Sequence, residues 1–364
     1  MFYFGIEHEV AFLNAEGKFA DFNHTKFADF NQIIERLPTY PNDYPQLRVG
    51  DAGIKKKRWY IEGFERFIDS DKPSDCLAKG IEIRTTIHTE IQGAVNELTE
   101  SFNLLRQVAA SYGYLPVLAS FNPYKTVFEA QPPLNDFELK QLQGYPDEQT
   151  ANIYMVSYGP DLNLSVANLS TERLIDIGKK LTYYSPYIVP FTYSSPFYNG
   201  SLWEGLSVRT FIRTGKRSAT LVFVEKKEQL IQSVPSLTKV ARIPAEIGRI
   251  EFKACDSCDD FNIYAALLAL LKGLVLDETL SGRLTVPDAA LHQISAKEGF
   301  DNLEIFTNAK QVLQASEVAL GNDPDVQLLT PLKDMLEQRQ TKSHKLIKMF
   351  QHLGSIEEVL RQTY

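Results

Sequence analysis

Apolar and polar side chains alternate with period two in six stretches, which predicts strands over Phe2–Leu13, Arg58–Phe64, Gly80–His88, Asp161–Val166, Leu206–Arg213 and Gly248–Cys255. Between them the apolar positions recur at helical spacing. Thr89-Glu90-Ile91-Gln92 reads as a capping box, followed by the stripe Ile91, Val95, Leu98, Phe102, Leu105 and Val108, with Gly113 as the stop. A second helix is expected after Ser170, ending before Pro186, and a third, apolar on all sides and hence buried, over 261–276. Beyond about residue 280 the pattern is mostly helical, broken near Gly321–Pro324. The stretch Gln131–Gln149, rich in proline and acids, reads as a long mobile loop and a candidate lid. Strands and helices mix without regular βα alternation, so the expected class is α+β with a mainly antiparallel sheet.

Alternate strand residues share a face, and the two faces differ in kind. In the first strand Phe4, Ile6, Val10 and Phe12 lie with His8, while Glu7 and Glu9 lie opposite, beside Gly5. The same division sets Glu82, Arg84, Thr86 and His88 against Ile81, Ile83 and Ile87. It sets Ser207, Arg209 and Arg213 against Val208 and Ile212, and Arg249, Glu251 and Lys253 against Ile250 and Phe252. Asn163 and Ser165 oppose Leu162, Leu164 and Val166. A solvated outer face would alternate too. Here, however, acids and cations cluster beside glycines that permit close approach of a ligand. Carboxylates crowded on one face repel unless cations neutralise them, which suits hard divalent ions carrying a nucleotide.

Composition narrows the classes. The 364 residues hold 46 acidic and 38 basic side chains, a net charge of −8, which argues against a general nucleic-acid binder. The longest apolar run, Ile263 to Leu271, is far shorter than the ~18–20 residues of a membrane span. Phe2-Tyr3-Phe4-Gly5 meets Glu7 before any leader-like segment develops, so the expectation is a cytoplasmic protein. Three cysteines make no disulfide framework, and Cys255-Asp-Ser-Cys258 lacks the second pair that a zinc site needs. Neither a P-loop nor a Gly-x-Gly-x-x-Gly turn is present. Lys55-Lys56-Lys57-Arg58 reads as a solvated loop, and His8 as a core histidine.

Four patches resemble glutamate–cysteine ligase family 2 and its carboxylate–amine ligase relatives. Gly5-Ile6-Glu7-His8-Glu9 is similar to the family's first acidic strand, and Ile61-Glu62 with Gly80-Ile81-Glu82-Ile83-Arg84-Thr85 to the next two. Ser194-Ser195-Pro196-Phe197-Tyr198-Asn199-Gly200, then Gly205-Leu206-Ser207-Val208-Arg209, resembles its Asn-Ser-Pro-Phe-x-x-Gly…Ser-x-Arg stretch. Arg249-Ile250-Glu251-Phe252-Lys253-Ala254-Cys255-Asp256 resembles its Glu-x-Arg-x-x-Asp strand. The ordered patches cover residues 1 to about 280, expected to be a catalytic core, with 281–364 a mostly helical part of the same domain.

The resemblance implies a glutamine synthetase-like fold, its sheet curved into a funnel with helices outside. It further implies an ATP-dependent ligase that joins the γ-carboxylate of glutamate to an amine through an acyl phosphate. Cysteine is the default amine, giving γ-glutamylcysteine on the route to glutathione. Implied metal ligands for Mg²⁺ or Mn²⁺ are Glu7, Glu9, Glu62, Glu82 and Glu251. Lys253, Glu9 and Glu82 would serve ATP, and Arg209, Arg84 and Asn163 the substrates. Glu251, Lys253 and Arg209 would be the catalytic set. Two departures stand out: Lys253 replaces the family's arginine, and Asp161 and Asn163 stand where relatives carry His or Gln. A different amine acceptor remains open, as does a catalytically weakened relative that binds ATP or an amino acid as a sensor.

Overall fold

The computed structural model describes residues 1–47, 57–68, 74–144, 151–213 and 215–363. Eleven strands are defined: β1 (Phe2–Leu13), β2 (Phe19–Ala20), β3 (Trp59–Arg66), β4 (Asp75–Arg84), β5 (Leu115–Val117), β6 (Pro160–Val166), β7 (Phe197–Tyr198), β8 (Ser201–Leu202), β9 (Thr220–Val224), β10 (Thr238–Val240) and β11 (Ile250–Phe252). Among the described residues nine of them form one sheet, in the order β10-β9-β11-β6-β1-β4-β3, with β2 and β5 paired to the far end of β1. The sheet curls into a half-barrel. Its pairs are antiparallel except β9 with β10. The class is α+β, as the pattern of the chain predicts.

Burial along β1 alternates as expected, with Phe4, Ile6, His8 and Val10 inside and Glu7 and Glu9 half-buried on the other face. His8 is fully buried; its Nδ1 lies 3.1 Å from the Tyr264 hydroxyl, and burial lowers its pKa to about 3. It is a neutral core histidine.

Twelve helices are described: α1 (Phe27–Arg36), α2 (Ile91–Ala110), α3 (Asp136–Gly144), α4 (Ala151–Val156), α5 (Thr171–Ile188), α6 (Val208–Arg213), α7 (Asn262–Leu276), α8 (Ala289–Glu298), α9 (Leu303–Leu320), α10 (Thr330–Gln338), α11 (Lys342–Leu353) and α12 (Ile356–Arg361). The apolar α7 packs between α2 and α9 and is buried along nearly its whole length. It gives the sheet a water-free backing, which leaves the opposite face for polar chemistry. No helix among the described residues is long and apolar enough to cross a membrane.

Several expectations need correction. The stretch 206–213 is not a strand: only Ser207 bridges, to Ser195, and α6 follows. The Thr89 capping box does not form, because both backbone groups of His88 are bonded to Phe4 and α2 begins at Ile91 behind Glu90. Ser170 caps α5 as expected, but Pro186 lies inside that helix. The carbonyl that proline leaves free, Thr182 O, is taken by the Ser185 hydroxyl at 2.7 Å. The 131–149 stretch carries α3, pinned where Arg66 grips Glu138 with two N–H groups (2.7 and 3.0 Å); residues 145–149 lie outside the described residues. Lys57 is buried and donates to the Ile34 and Leu37 carbonyls, both at 2.7 Å, while Arg58 pairs with Asp43. The solvated-loop reading therefore fails for both, and Lys55 and Lys56 lie outside the described residues.

Candidate active site

Strand register decides which polar residues meet. Antiparallel pairing sets Glu9 opposite Glu82 and Glu7 opposite Arg84. On its other side Glu7 faces Asp161, and Gly5 faces Asn163, which in turn faces Glu251. Tyr60 of β3 lies opposite Glu82, and Glu62 opposite Gly80. Gly80 has no room for a side chain, since a Cβ there would stand 2.3 Å from the Val10 carbonyl. Like charges directly across a ladder repel. This face therefore needs cations.

It gathers the carboxylates into two groups, Glu7/Asp161/Glu251 and Glu9/Glu62/Glu82, each with ligand oxygens within 4.8 Å of one another. They line one cavity of about 290 Å³. In the first group Lys253 bonds both Asp161 and Glu251. Arg249 donates to Glu7 at 3.0 Å and forms an ion pair with Glu251 at 2.8 Å. Burial pushes Glu251 up, but Lys253 and Arg249 outweigh it and bring the carboxyl down to about 2. Asp161, raised by burial and by Glu251 and Glu7 against the pull of Lys253, reaches about 7.

In the second group a cation is hydrogen-bonded to Glu9, and Arg84 Nε stands 3.7 Å from Glu82. Lys79 bonds Glu9 at 2.9 Å, and the Gly159 N–H donates to the other oxygen at 2.9 Å. Glu62 and Glu82 share the Tyr60 hydroxyl. Glu62 Oε2 and Glu82 Oε1 accept no hydrogen bond from the protein, although the residues are only 4% and 5% exposed. Burial raises both pKa values: at Glu82 the charges of Glu62 and Glu7 add to it and carry the group well above its ordinary range, while at Glu62 Lys79 pulls against burial and Glu9. Buried acceptors left open cost stability unless something fills the gap. Hard oxygens converging on one point are a divalent cation's donor set, so Mg²⁺ or Mn²⁺ fits the residues present.

Helix α6 holds the cations at the cavity edge. The Ser207 hydroxyl accepts the Thr210 N–H at 3.0 Å, an N-cap, and passes its own proton to Asp256 at 3.0 Å. Asp256 also takes the Ser195 hydroxyl and the Ser194 N–H, at 2.7 and 3.0 Å. One buried carboxylate thus ties together the serines of two separate motifs. Arg209 lays its guanidinium against Gly159 and donates to the Ala254 and Lys253 carbonyls at 3.0 and 3.1 Å. One turn on, burial and the neighbouring Arg209 and Arg217 push Arg213 well below its ordinary pKa.

No protein-family model matches the chain, and no curated protein matches it in sequence. Solved structures do match in fold. A bifunctional glutathione synthetase from Pasteurella multocida gives a TM-score of 0.61 at 12% identity, over all of this chain and 51% of that one. A glutamate–cysteine ligase from Francisella tularensis, solved with AMP, gives 0.61 at 10%, over all of this chain and 87% of that one. The ligase PafA, in complex with the prokaryotic ubiquitin-like protein Pup, gives 0.52 at 11%, over all of this chain and 72% of that one. The fold is shared with ligases. This chain spans about half the length of the Pasteurella protein.

All nine residues singled out from the sequence line this cavity: Glu7, Glu9, Glu62, Glu82, Arg84, Asn163, Arg209, Glu251 and Lys253. Their surroundings refine the expectations. Arg209 spends two N–H groups on backbone, Asn163 donates to Glu7 at 3.3 Å, and Arg84 stacks on the Tyr60 ring at 3.9 Å. Sequence reasoning gave no role to Asp161, Lys79, Tyr60 or Arg249. Asp161 and Arg249 were visible as polar residues on the right strand face. Lys79, fully buried, falls one residue before the expected start of its strand. Cys255 and Cys258 are buried free thiols, with Cys255 pushed up to about 12 by burial, and neither joins a metal-ligand group among the described residues.

Proposed function

We propose that this protein is an ATP- and Mg²⁺-dependent (or Mn²⁺-dependent) carboxylate–amine ligase of glutamine synthetase-like fold. Glutamate is the acid, cysteine the first amine to test, and residues 281–364 form the helical part of the same domain. The observation that carries the reading is the pair of buried carboxylate groups on one sheet face, one of them with acceptor oxygens left open. The fold shared with three ligases supports it.

A carboxylate is a poor electrophile. Its oxygen attacks the γ-phosphorus of ATP, ADP leaves, and the amine nitrogen then attacks the acyl carbon and expels phosphate. A divalent ion held by the acidic face would supply charge neutralisation for the reacting phosphate and carboxylate groups. The chain's own part is to hold ligands in register and keep water out. The acidic face would provide the oxygen ligands, and Glu9 and Glu82 are the residues assigned to the nucleotide. Lys253 and Arg249 stand beside it as fixed positive charge for the transferring phosphoryl group. Arg84, Asn163 and Arg209 bound the space for the acid substrate, with Arg209 presenting the N–H groups that it does not spend on the backbone.

ADP release tests this directly, with ATP, Mg²⁺, glutamate and a panel of amines that begins with cysteine. Release should require both the acid and one amine, and that amine defines the activity. ATP binding with no turnover from any pair of acid and amine would refute the ligase reading and favour a sensor.

A further inference from the structure

The two carboxylate groups differ in what already fills them. We infer that Lys253, aided by Arg249, acts as a built-in cation in the Glu7/Asp161/Glu251 group, so that of the two groups only Glu9/Glu62/Glu82 takes a divalent ion. This rests on the proposed reading of the face as metal-binding.

Count the oxygens. In the first group both Glu251 oxygens are engaged, one by Lys253 and one by Arg249. Lys253 also holds Asp161 Oδ2, and Glu7 Oε1 receives both Arg249 and Asn163. The ammonium bridges two carboxylates, as a bound ion would. A divalent ion placed there would meet a like charge at contact distance and find four of the group's six carboxylate oxygens already engaged.

In the second group the cation stands to one side. The Lys79 ammonium is anchored by the Tyr154 and Ser157 carbonyls at 3.0 and 2.8 Å and lies 4.1 Å from the Tyr154 ring centre. It reaches only Glu9. Arg84 Nε stays 3.7 Å from Glu82, outside hydrogen-bond range. Glu62 and Glu82, more than nine-tenths buried, each keep one oxygen without a donor. Lysine matters here because its head is a compact point charge on a flexible stem, which fits between two carboxylates where a planar guanidinium is broader.

The test counts Mn²⁺, titrated alone into the full chain without ATP, glutamate or amine. Free Mn²⁺ is read by electron paramagnetic resonance, and folding of each variant by circular dichroism. Wild type should bind one equivalent. Glu82→Gln should weaken that binding at least tenfold, whereas Glu251→Gln should leave it within threefold. Lys253→Met should bind a second equivalent. Two equivalents or none in wild type, or one equivalent lost in Glu251→Gln but kept in Glu82→Gln, would overturn the inference. If Lys253→Met does not fold, the contrast between the two glutamine variants decides. Amide formation by a wild type that binds two ions would sink this inference and leave the ligase reading intact; one ion with no turnover would do the reverse.

Discussion

The Ser207 hydroxyl and the Asp256 carboxylate, 3.0 Å apart, join the first turn of α6 to the segment that follows β11. Through that bond the helix bearing Arg209 is fixed to the strand bearing Glu251. Asp256→Ala removes three partners at once and strands buried hydroxyls. The expected cost is about 3 kcal/mol or more of unfolding free energy, measured by urea titration. A loss below about 1 kcal/mol would show that the serines find other partners.

Gly159 is the wall against which Arg209 lies. A Cβ there would stand 2.3 Å from one guanidinium nitrogen and 2.5 Å from its carbon. Gly159→Ala should push the guanidinium off its two carbonyls and raise KM for the acid substrate about tenfold or more, a loss of about 1.4 kcal/mol in binding. The melting temperature should fall only modestly, since the adjoining cavity gives the displaced guanidinium and the two freed carbonyls access to water. Unchanged KM with an unchanged melting point would remove Arg209 from the substrate site.

Glu82 illustrates a conflict between stability and function. Without an ion its charge is buried against Glu62, so Glu82→Gln should stabilise the metal-free protein by about 1 kcal/mol while cutting turnover at least a hundredfold. Chelation by EDTA should lower the wild-type melting point and leave that of the variant unmoved. Equal sensitivity to EDTA would contradict a metal at this group.

One contribution to acid stability lies away from the site. His292 is buried, with Nδ1 2.8 Å from the Asp288 carbonyl and Nε2 3.0 Å from the Ser185 hydroxyl. Burial lowers its pKa from 6.5 to about 4. Between those values the unfolded chain binds a proton that the folded one does not, so its stabilising contribution is complete above pH 6.5 and is lost as pH falls toward 4. Each pH unit in that window costs about 1.4 kcal/mol. His292→Gln should flatten this part of the urea-midpoint profile; an unchanged slope would mean that the ring is protonated in the fold.

Most of the acidic face was legible because β1 obeys a strict period of two and its partners carry the same alternation. The α6 segment was not. Val208 and Ile212 are four apart, a spacing that suits both a strand face and one helical turn, so periodicity could not choose. What chooses is the cap that Ser207 forms once Asp256 reaches it from 49 residues away. Lys57 and Lys79 were missed for a related reason. A lysine buried under carbonyls looks, in sequence, like any solvated lysine, and only tertiary acceptors distinguish them. The open oxygens of Glu62 and Glu82 likewise depend on which donors fail to arrive.

The ion pair between Arg249 and Glu7 spans 242 residues of chain. Glu7, on β1, is synthesised 242 positions ahead of Arg249. Contacts this distant close late. Until β11 docks, Glu7 and Asp161 lack Arg249 and Lys253, whereas Glu9 already has Lys79 within reach on β4. The Glu9/Glu62/Glu82 group, carried on β1, β3 and β4, can therefore assemble ahead of the Glu7/Asp161/Glu251 group, which has to wait for β11.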